Sequence, residues 1–355
     1  MNFDYSDDTL AMRDEVRRVL AERFPVGAVR QAADAGQRFD RGFWSLAAGM
    51  GWLGVAIPEC FGGAALGEEV LCMIAEEMGA ALAPVPFSSS ILMAAEALLR
   101  FGSEAQRECW LPRLASGETI GCLALAGEIA EKGGRLFGVK LPVIDGDIAD
   151  IALVAVHNAL YLVELDQPEV RREAVDALDM VRVSARLTLD GAVAERLENA
   201  DLALLTDRIA ILTAFEQVGG ARASLDMAVG YARDRYAFGR AIASFQAIKH
   251  KLADVYVALE LARSNAYYGV WALENEDDLP VAASAARLAA TEAYSLAAKE
   301  NIQVHGGMGF TWEADCHLHY RRARELAVNL GSTRVWRDRL IDHLDAAHSN
   351  GAEAA

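Results

Sequence analysis

The segment that opens at Arg235 combines a cation, an aromatic ring and an amide at short spacing. The planar guanidinium of Arg235 presents paired N–H donors that match the oxygens of a phosphate group. Phe238 and Gly239 follow, and a glycine beside an aromatic face lets a ligand approach the backbone closely. Gln246 adds a side-chain amide, and the glycines of Gln303-Val-His-Gly-Gly307 permit the same close approach. Arg235 therefore suits a phosphate group, and the glycines leave the backbone open to a ligand.

Composition argues against several other functions. The 355 residues carry a formal charge of −17, which disfavours binding to nucleic acid or to anionic membranes. Five cysteines without a CxxC pair fit reduced thiols in the cytoplasm better than a disulfide framework or a zinc site. The N-terminus is acidic, unlike a signal peptide, and no uncharged apolar run reaches the roughly 18 residues of a membrane span. His317 and His319 would diverge on a helix, so no metal site is expected.

The N-terminal and central regions differ in the period of their apolar residues. Up to about residue 120 the period is helical, and it predicts helices with a Pro- and Gly-rich loop at 51–63. The predicted helices lie near residues 9–20, 43–50 and 67–78. Between about 120 and 205, short β-rich runs separated by Gly, Asp and Asn predict strands. These strands lie at 151–156, 160–165 and 181–189.

The third region, from residue 201 onward, contains long helical runs and a single proline, Pro280. It predicts a four-helix bundle, with a turn at 275–279 between two long helices. Gly219 and Gly220 fall inside an apolar helical stretch, where glycine costs stability unless a neighbour packs closely. Helices, then strands, then helices predict an α+β fold. The predicted domains are an N-terminal helical domain (1–120), a small β-barrel or sandwich (121–200) and a C-terminal helical bundle (201–355).

Several motifs in this order give the chain a family resemblance. Taken together they resemble the acyl-CoA dehydrogenase family, and the resemblance covers nearly the whole chain. They are Gly51-Trp-Leu-Gly, Pro58-Glu-Cys-Phe-Gly-Gly63, Glu76-Glu77-Met-Gly, Leu111-Pro-Arg-Leu-Ala-Ser-Gly-Glu118, Arg235-Tyr-Ala-Phe-Gly-Arg, Ser244-Phe-Gln, Gln303-Val-His-Gly-Gly-Met-Gly-Phe310 and Tyr320-Arg-Arg-Ala-Arg324. The pattern is similar to that of members that form bacterial heteromers, some of which act on steroid-type acyl-CoAs.

The resemblance implies a cofactor, FAD, and residues that bind it. In the family, the residues that match Arg235, Phe238 and Gln246 hold the ADP half of an FAD that is bound mainly by a neighbouring subunit. The residues that match Gln303, Gly306 and Gly307 complete that site. By the same resemblance Ser332 is expected to contact the cofactor and Arg208 the substrate.

The implied reaction is α,β-dehydrogenation of an acyl-CoA thioester, which requires a carboxylate base. The base position that follows the Tyr320-Arg-Arg-Ala run is occupied by Leu330, and the family's other position falls on Ile209. Neither side chain can accept a proton. Asp207 is two residues from Ile209, about 200° around a helix, and would serve as the base if the helix start is shifted. Asp207 is alternatively a helix N-cap, and Glu216 is a weaker candidate that could form an internal ion pair.

The central region also departs from the family pattern. The segment that contacts the flavin in the family is here Leu125–Gly134, and the segment that supplies an indole and a hydroxyl is here Leu141–Gly146, which has neither. The run Arg321, Arg322 and Arg324 is either a solvated face or a set of partners for Glu313, Asp315 or a second subunit.

Three functions remain open on this sequence. The first is an FAD-dependent acyl-CoA dehydrogenase that passes electrons to an electron-transfer flavoprotein, with Asp207 as its base. The second is a non-catalytic subunit that completes the FAD site of a family paralogue in a hetero-oligomer. The third is a binding protein for acyl-CoA or another ligand, without a redox role.

Overall fold

The computed structural model describes residues 6–274 and 278–353. Helices lie between Asp7 and Ala115, strands between Gly121 and Leu197, and helices again from Leu202 onward. This order confirms the predicted α+β fold. The turn predicted at 275–279 lies largely outside the described residues, because 275–277 are not among them.

Helices make up the N-terminal region. The predicted helices near 9–20, 43–50 and 67–78 are confirmed and extend by a few residues. The helices are α1 (Asp7–Arg23), α2 (Val26–Asp34), α3 (Arg41–Gly49), α4 (Gly67–Ala81), a buried π-helix (Ser88–Ala95), α5 (Glu96–Phe101) and α6 (Glu104–Ala115). Side chains cap three of them: Ser6 accepts from Thr9, Asp40 from Phe43, and Ser103 forms a capping box with Gln106. The predicted loop at 51–63 holds two short 3₁₀ turns, Trp52–Gly54 and Glu59–Phe61.

Two four-stranded sheets form the central region. The strands are β1 (Gly121–Ala124), β2 (Ile129–Lys132), β3 (Arg135–Ile144), β4 (Ile151–Val156), β5 (Ala159–Glu164), β6 (Val170–Val175), β7 (Ser184–Val193) and β8 (Glu195–Leu197). One sheet has the order β1-β4-β5-β8, with β1 parallel to β4, and the other is antiparallel with the order β2-β3-β7-β6. The predicted strands correspond to β4, β5 and β7.

The C-terminal region is a bundle of long helices joined by a hairpin and short turns. Its elements are α7 (Leu202–Asp234), β9 (Tyr236–Ala237), β10 (Arg240–Ala241), a 3₁₀ turn (Ile242–Ser244), α8 (Gln246–Glu274), α9 (Leu279–His305), a second 3₁₀ turn (Gly306–Phe310), α10 (Cys316–Leu326) and α11 (Thr333–Glu353). The N-cap of α7 is Asp201, whose Oδ1 accepts from the amides of Ala203 and Leu204 at 2.9 and 3.0 Å. The interpretation of Asp207 as the N-cap is therefore wrong, because the cap lies six residues earlier, at Asp201.

By compactness the chain divides into two units. Unit 1 comprises Met1–Gln31, Cys72–Ala83 and Ala210–Ala355, and unit 2 comprises Ala32–Leu71 and Pro84–Ile209. The three domains inferred from the sequence follow the order of helices and strands instead, and their boundaries stay a prediction.

In unit 1, helices α4 and α7 cross backbone to backbone. A Cβ at Gly219 would lie 1.8 Å from the carbonyl oxygen of Glu76, and one at Gly79 would lie 2.1 Å from the carbonyl oxygen of Glu216. The ring of Tyr294 covers Gly220, with the nearest ring carbon 2.2 Å from a Cβ placed there. The glycine pair in the middle of α7 is thus explained by contacts that leave no room for a side chain.

We expect Gly219→Ala to lower the free energy of unfolding by about 3 kcal/mol, because the added methyl group must push two helix backbones apart. The matched control is Gly230→Ala in the same helix, where a Cβ meets nothing within 4 Å. That variant should gain roughly 0.5–1 kcal/mol from helix propensity. Urea denaturation measures both values, and equal effects of the two substitutions would contradict the close crossing.

Candidate functional site

The hairpin that follows α7 carries the first part of the site. Strands β9 and β10 pair antiparallel, and the two residues of the turn, Phe238 and Gly239, have φ of 54° and 77°. A phenylalanine rarely adopts this left-handed conformation, and the Phe238 side chain is also 95 % exposed. Its ring lies edge-to-face with Phe245, at 6.2 Å between centroids, while Arg240 lies over the same Phe245 ring at 4.1 Å. The hairpin therefore holds an aromatic ring out in solvent, beside the exposed Arg235.

The end of α9 carries the second part. Val304 packs in one apolar cluster with Ala228 and Ala232 of α7, and Ile242 and Ile248 pack against that cluster. This packing brings the end of α9 next to the hairpin, so both predicted binding segments lie at one end of unit 1.

His305 supports the glycine turn that follows α9. Its ring stacks on Tyr231 with centroids 4.1 Å apart, and its Nδ1 lies 2.8 Å from the carbonyl oxygen of Asn301. Gly306 has φ of 61°, and a Cβ at Gly306 or Gly307 would meet nothing within 4 Å. Gly307 does not have a positive φ, and among the described residues no atom lies close enough to exclude a side chain there. The position is therefore open to a ligand.

The polar side chains at this end are available to a ligand. Arg235, Gln246 and Gln303 are exposed, and among the described residues none of the three side chains makes a hydrogen bond. A guanidinium, two amides and an open glycine pair are the donors and the backbone access that a pyrophosphate requires. The residues present therefore fit the ADP half of FAD.

The loop at Leu330 carries no acid and is fixed from two sides. Leu330 is buried, and its carbonyl oxygen accepts from Trp336 Nε1 at 2.9 Å. Arg287 donates to the carbonyl oxygen of Leu326 and to Asn329 Oδ1, the latter at 2.8 Å. Burial lowers the pKa of Arg287 to about 10, so the guanidinium stays protonated at neutral pH and holds the loop. Ser332 is exposed at the end of this loop, and its contact with a cofactor stays a prediction.

The start of α7 contains the other candidate for the base and the expected substrate residue. Asp207 is 3 % exposed and Ile209 is buried beside it in sequence. Arg208 is fully buried in an ion-pair cluster of unit 2, where it donates to Glu96 and, at 3.0 Å, to Glu68. Two carboxylates of its own chain thus engage Arg208. Its role in substrate binding and that of Asp207 as a base stay predictions.

Glu216 forms the internal ion pair that was the alternative to a catalytic role. Arg322 Nη1 donates to Glu216 Oε1 at 3.1 Å, and both side chains are buried. The prediction that the run from Arg321 to Arg324 is one solvated face is therefore wrong for Arg322, because one side of α10 faces the bundle. Asp315 pairs instead with Arg30 of α2 at 3.2 Å.

Two positively charged residues that position loops were missed in the sequence. Lys140 is buried, and its Nζ donates at 2.9 Å to the carbonyl oxygens of Leu125 and Gly127, in the segment Leu125–Gly134. Burial lowers the pKa of Lys140. For Arg287 a signal existed: a lone cation in the alanine-rich run Ala285-Ala-Arg-Leu-Ala-Ala290 indicates a buried charge.

Comparisons with known proteins identify the family. The acyl-CoA dehydrogenase N-terminal domain matches residues 6–118 and the C-terminal domain matches residues 202–344. Acyl-CoA dehydrogenase IpdE2 of Mycobacterium tuberculosis is 35% identical over 327 residues, which cover 91% of this chain and 93% of that protein. This chain belongs to the acyl-CoA dehydrogenase family. The family resemblance inferred from the motifs is confirmed.

Solved structures agree with this assignment. The ChsE4–ChsE5 complex from Mycobacterium tuberculosis contains a chain that is 28% identical and superposes with a TM-score of 0.89, covering 97% of this chain and 99% of that chain. The steroid ACAD Tcur3481–Tcur3483, in variant form, gives 27% identity, the same TM-score and the same coverage. The family is one of oxidoreductases whose cofactor is FAD. Among the described residues, no helix is long and apolar enough to cross a membrane.

We expect Arg322→Met to lower the free energy of unfolding by about 3–5 kcal/mol, because it leaves the buried carboxylate of Glu216 without this partner. Arg324→Met on the exposed side of α10 is the control and should change stability by less than about 0.5 kcal/mol. Adding Glu216→Gln to Arg322→Met should restore part of the loss. Urea denaturation of the four proteins tests this, and equal stabilities of the two single arginine variants would contradict the buried pair.

Proposed function

We propose that this chain is a non-catalytic subunit of a heteromeric acyl-CoA dehydrogenase, in which it completes the FAD site of a paired paralogue. The paralogue would supply the base for α,β-dehydrogenation of an acyl-CoA, and an electron-transfer flavoprotein would receive the electrons. When bound, FAD accepts the hydride that leaves the β-carbon. The residues of this chain would hold the ADP half of that cofactor.

The observation that carries the proposal is the loop at Leu330. A base must reach the proton that it removes, with a carboxylate at hydrogen-bond distance. Leu330 offers a buried alkyl side chain, and Trp336 and Arg287 fix the backbone on both sides of it. This loop is ordered by specific hydrogen bonds, so the missing acid belongs to a well-defined structure and not to a degenerate segment.

The residues predicted to hold the ADP half of FAD support the same proposal. Arg235, Gln246 and Gln303 remain exposed with free donors, and Phe238 is held in solvent in a conformation unusual for its residue type. A backbone conformation of this kind costs of order 1–3 kcal/mol, and it persists at ligand clamps where function requires it. A chain that had lost its cofactor altogether would have no need of this surface. Two similar solved structures, the ChsE4–ChsE5 complex and Tcur3481–Tcur3483, each combine two proteins and give a precedent for pairing.

A self-sufficient dehydrogenase with Asp207 as the base is the second candidate. The observation that favours it is the burial of Asp207, since a base in a site closed to water is the usual arrangement for this kind of proton transfer. The two candidates differ in whether this chain alone binds flavin and supports reduction.

For the location of the protein we infer the cytoplasm. All five cysteines are free thiols: Cys60 and Cys109 are exposed, and Cys72, Cys122 and Cys316 are buried. Burial raises the pKa of Cys316 to about 11, so this thiol is unreactive at neutral pH. Exposed free thiols are typical of a reducing compartment.

We expect the chain purified alone to lack the visible absorption of flavin, and to gain it when co-expressed with a family paralogue encoded beside it. Flavin in the lone chain that bleaches on addition of an acyl-CoA would contradict the proposal and favour the second candidate. Absence of flavin under both conditions would contradict both and leave a flavin-free binding role.

Within the heteromer we expect Arg235→Ala in this chain to weaken FAD retention by tenfold or more, because a charge-assisted contact to phosphate is lost. Arg233→Ala is the matched control, since Arg233 is also exposed but lies outside the predicted binding set. Flavin content after gel filtration measures the effect. Equal flavin content in the two variants would show that this chain does not hold the ADP half.

A further inference from the structure

Unit 1 contains a cavity whose lining shares no residue with the hairpin and the glycine turn that are predicted to bind FAD. It has a volume of about 270 Å³ and lies between α1, the end of α4, α7 and α10. Its apolar lining includes Leu20 and Phe24 of α1, Leu82 after α4, and Met227 of α7. Its polar lining is concentrated in Arg17, Arg222 and Glu77. The cavity is therefore amphipathic, with an apolar wall and one charged end.

The charged end holds two guanidinium groups and one carboxylate. Arg17 binds Glu77 with two hydrogen bonds, of 3.1 and 2.8 Å, and Arg222 binds it with one of 2.7 Å. Burial raises the pKa of Glu77, but the hydrogen bond from Arg17 and the charge of Arg222 outweigh burial and hold that pKa below its ordinary value. Glu77 is thus ionised at neutral pH. Among the lining residues it faces two guanidinium groups, and Glu76, which is not part of the lining, lies 3.4 Å from Arg222 Nε.

Arg222 has donors to spare. A guanidinium has five N–H donors, and Arg222 uses one of them, on Glu77. Its Nε is buried and makes no hydrogen bond, although Glu76 Oε1 lies 3.4 Å away at an angle that does not permit one. Because Nε is shielded from the cavity, the donors that a ligand could reach are the N–H groups of the two Nη atoms that Glu77 does not use.

The size of the cavity depends on small side chains. Alanines line it from two helices, Ala80 and Ala81 from α4 and Ala223 from α7, where larger residues would fill the space. Leu82 forms part of the wall with φ of 49°, a conformation that leucine rarely adopts.

From this arrangement we propose that the cavity binds a short-chain monocarboxylate. The carboxylate would accept from the free donors of Arg222 at the charged end, and the hydrocarbon chain would lie against Leu20, Phe24 and Met227. Such a ligand pairs its negative charge with the free Nη donors of Arg222, which a neutral or cationic molecule of the same length cannot do. The site does not depend on the role of the chain in flavin binding.

Calorimetric titration of the purified chain with hexanoate tests the proposal, with hexan-1-ol and hexylamine as probes of the same length. We expect saturable binding of hexanoate at least tenfold tighter than that of hexan-1-ol, and none of hexylamine. Arg222→Gln should weaken hexanoate at least tenfold while leaving hexan-1-ol unchanged. The variant retains the two hydrogen bonds between Arg17 and Glu77, so the local structure should persist.

A cavity-filling variant provides the test of location. Ala223→Leu should abolish binding of hexanoate, whereas Ala253→Leu on the exposed side of α8 should bind as the unmodified chain does. Thermal unfolding verifies that each variant folds, and Arg222→Gln carries the test if Ala223→Leu does not fold. Absence of saturable hexanoate binding to the unmodified chain would overturn the proposal, as would undiminished binding in a folded Ala223→Leu variant or in Arg222→Gln.

Discussion

The crossing of α4 and α7 is the constraint on which unit 1 depends. At this crossing Gly79 and Gly219 let the two backbones touch, and the acids at the same turns, Glu76, Glu77 and Glu216, are buried. Each acid recruits arginines from another helix: Arg17 of α1 binds Glu77, Arg263 of α8 lies 3.5 Å from Glu76, and Arg322 of α10 binds Glu216. Burying a charge in this way is favourable only if the partner charges are present.

The loop at Leu330 is connected to the same crossing through α9. Arg287 donates to Gln217 Oε1 at 3.0 Å, one residue from Glu216, and also binds Asn329 beside Leu330. Gln217 in turn donates to Thr291 of α9 at 3.0 Å. The crossing is therefore connected to the loop at Leu330, which the family resemblance predicts to be the position of the base and where this chain has no acid. Hydrogen bonds retained around such a position are what we would expect of a subunit that kept its fold while a partner performs the chemistry.

Much of the architecture could be predicted from the sequence, for physical reasons. Long apolar periodicity defined the helices, the β-branched residues of Ile151–Val156 defined β4, and the short apolar run that ends in Leu187-Thr-Leu189 defined β7. The strands that were missed lack this signal. β6 reads Val-Arg-Arg-Glu-Ala-Val and is largely exposed at a sheet edge, and β3 is interrupted by Gly138 and Pro142. The Gly219-Gly220 pair indicated close packing, but its partners, Glu76 and Tyr294, could be identified only in three dimensions.

The site was predictable to a smaller extent. The sequence predicted that Arg235, Gln246 and Gln303 bind the ADP half of FAD. That the hairpin and the end of α9 lie next to each other depends on the packing of Val304 against α7, which the sequence does not reveal. For Arg322 a solvated face and an ion pair both stayed open, because the sequence does not reveal which of the three arginines faces inward. The alternative of Asp207 as a cap failed because the true cap, Asp201, lies outside the apolar pattern that marked the helix.

The central claim is that this chain supplies no base, and Asp207→Asn in the assembled heteromer tests it most directly. The substitution preserves size and removes the carboxylate, so the readout is the rate at which an acyl-CoA bleaches the flavin, with flavin content measured on the same sample. The account predicts that both values stay within about twofold of those of the unmodified heteromer. Retained flavin with bleaching slowed by roughly 10²-fold or more, the typical contribution of a general base, would contradict it and identify Asp207 as the base.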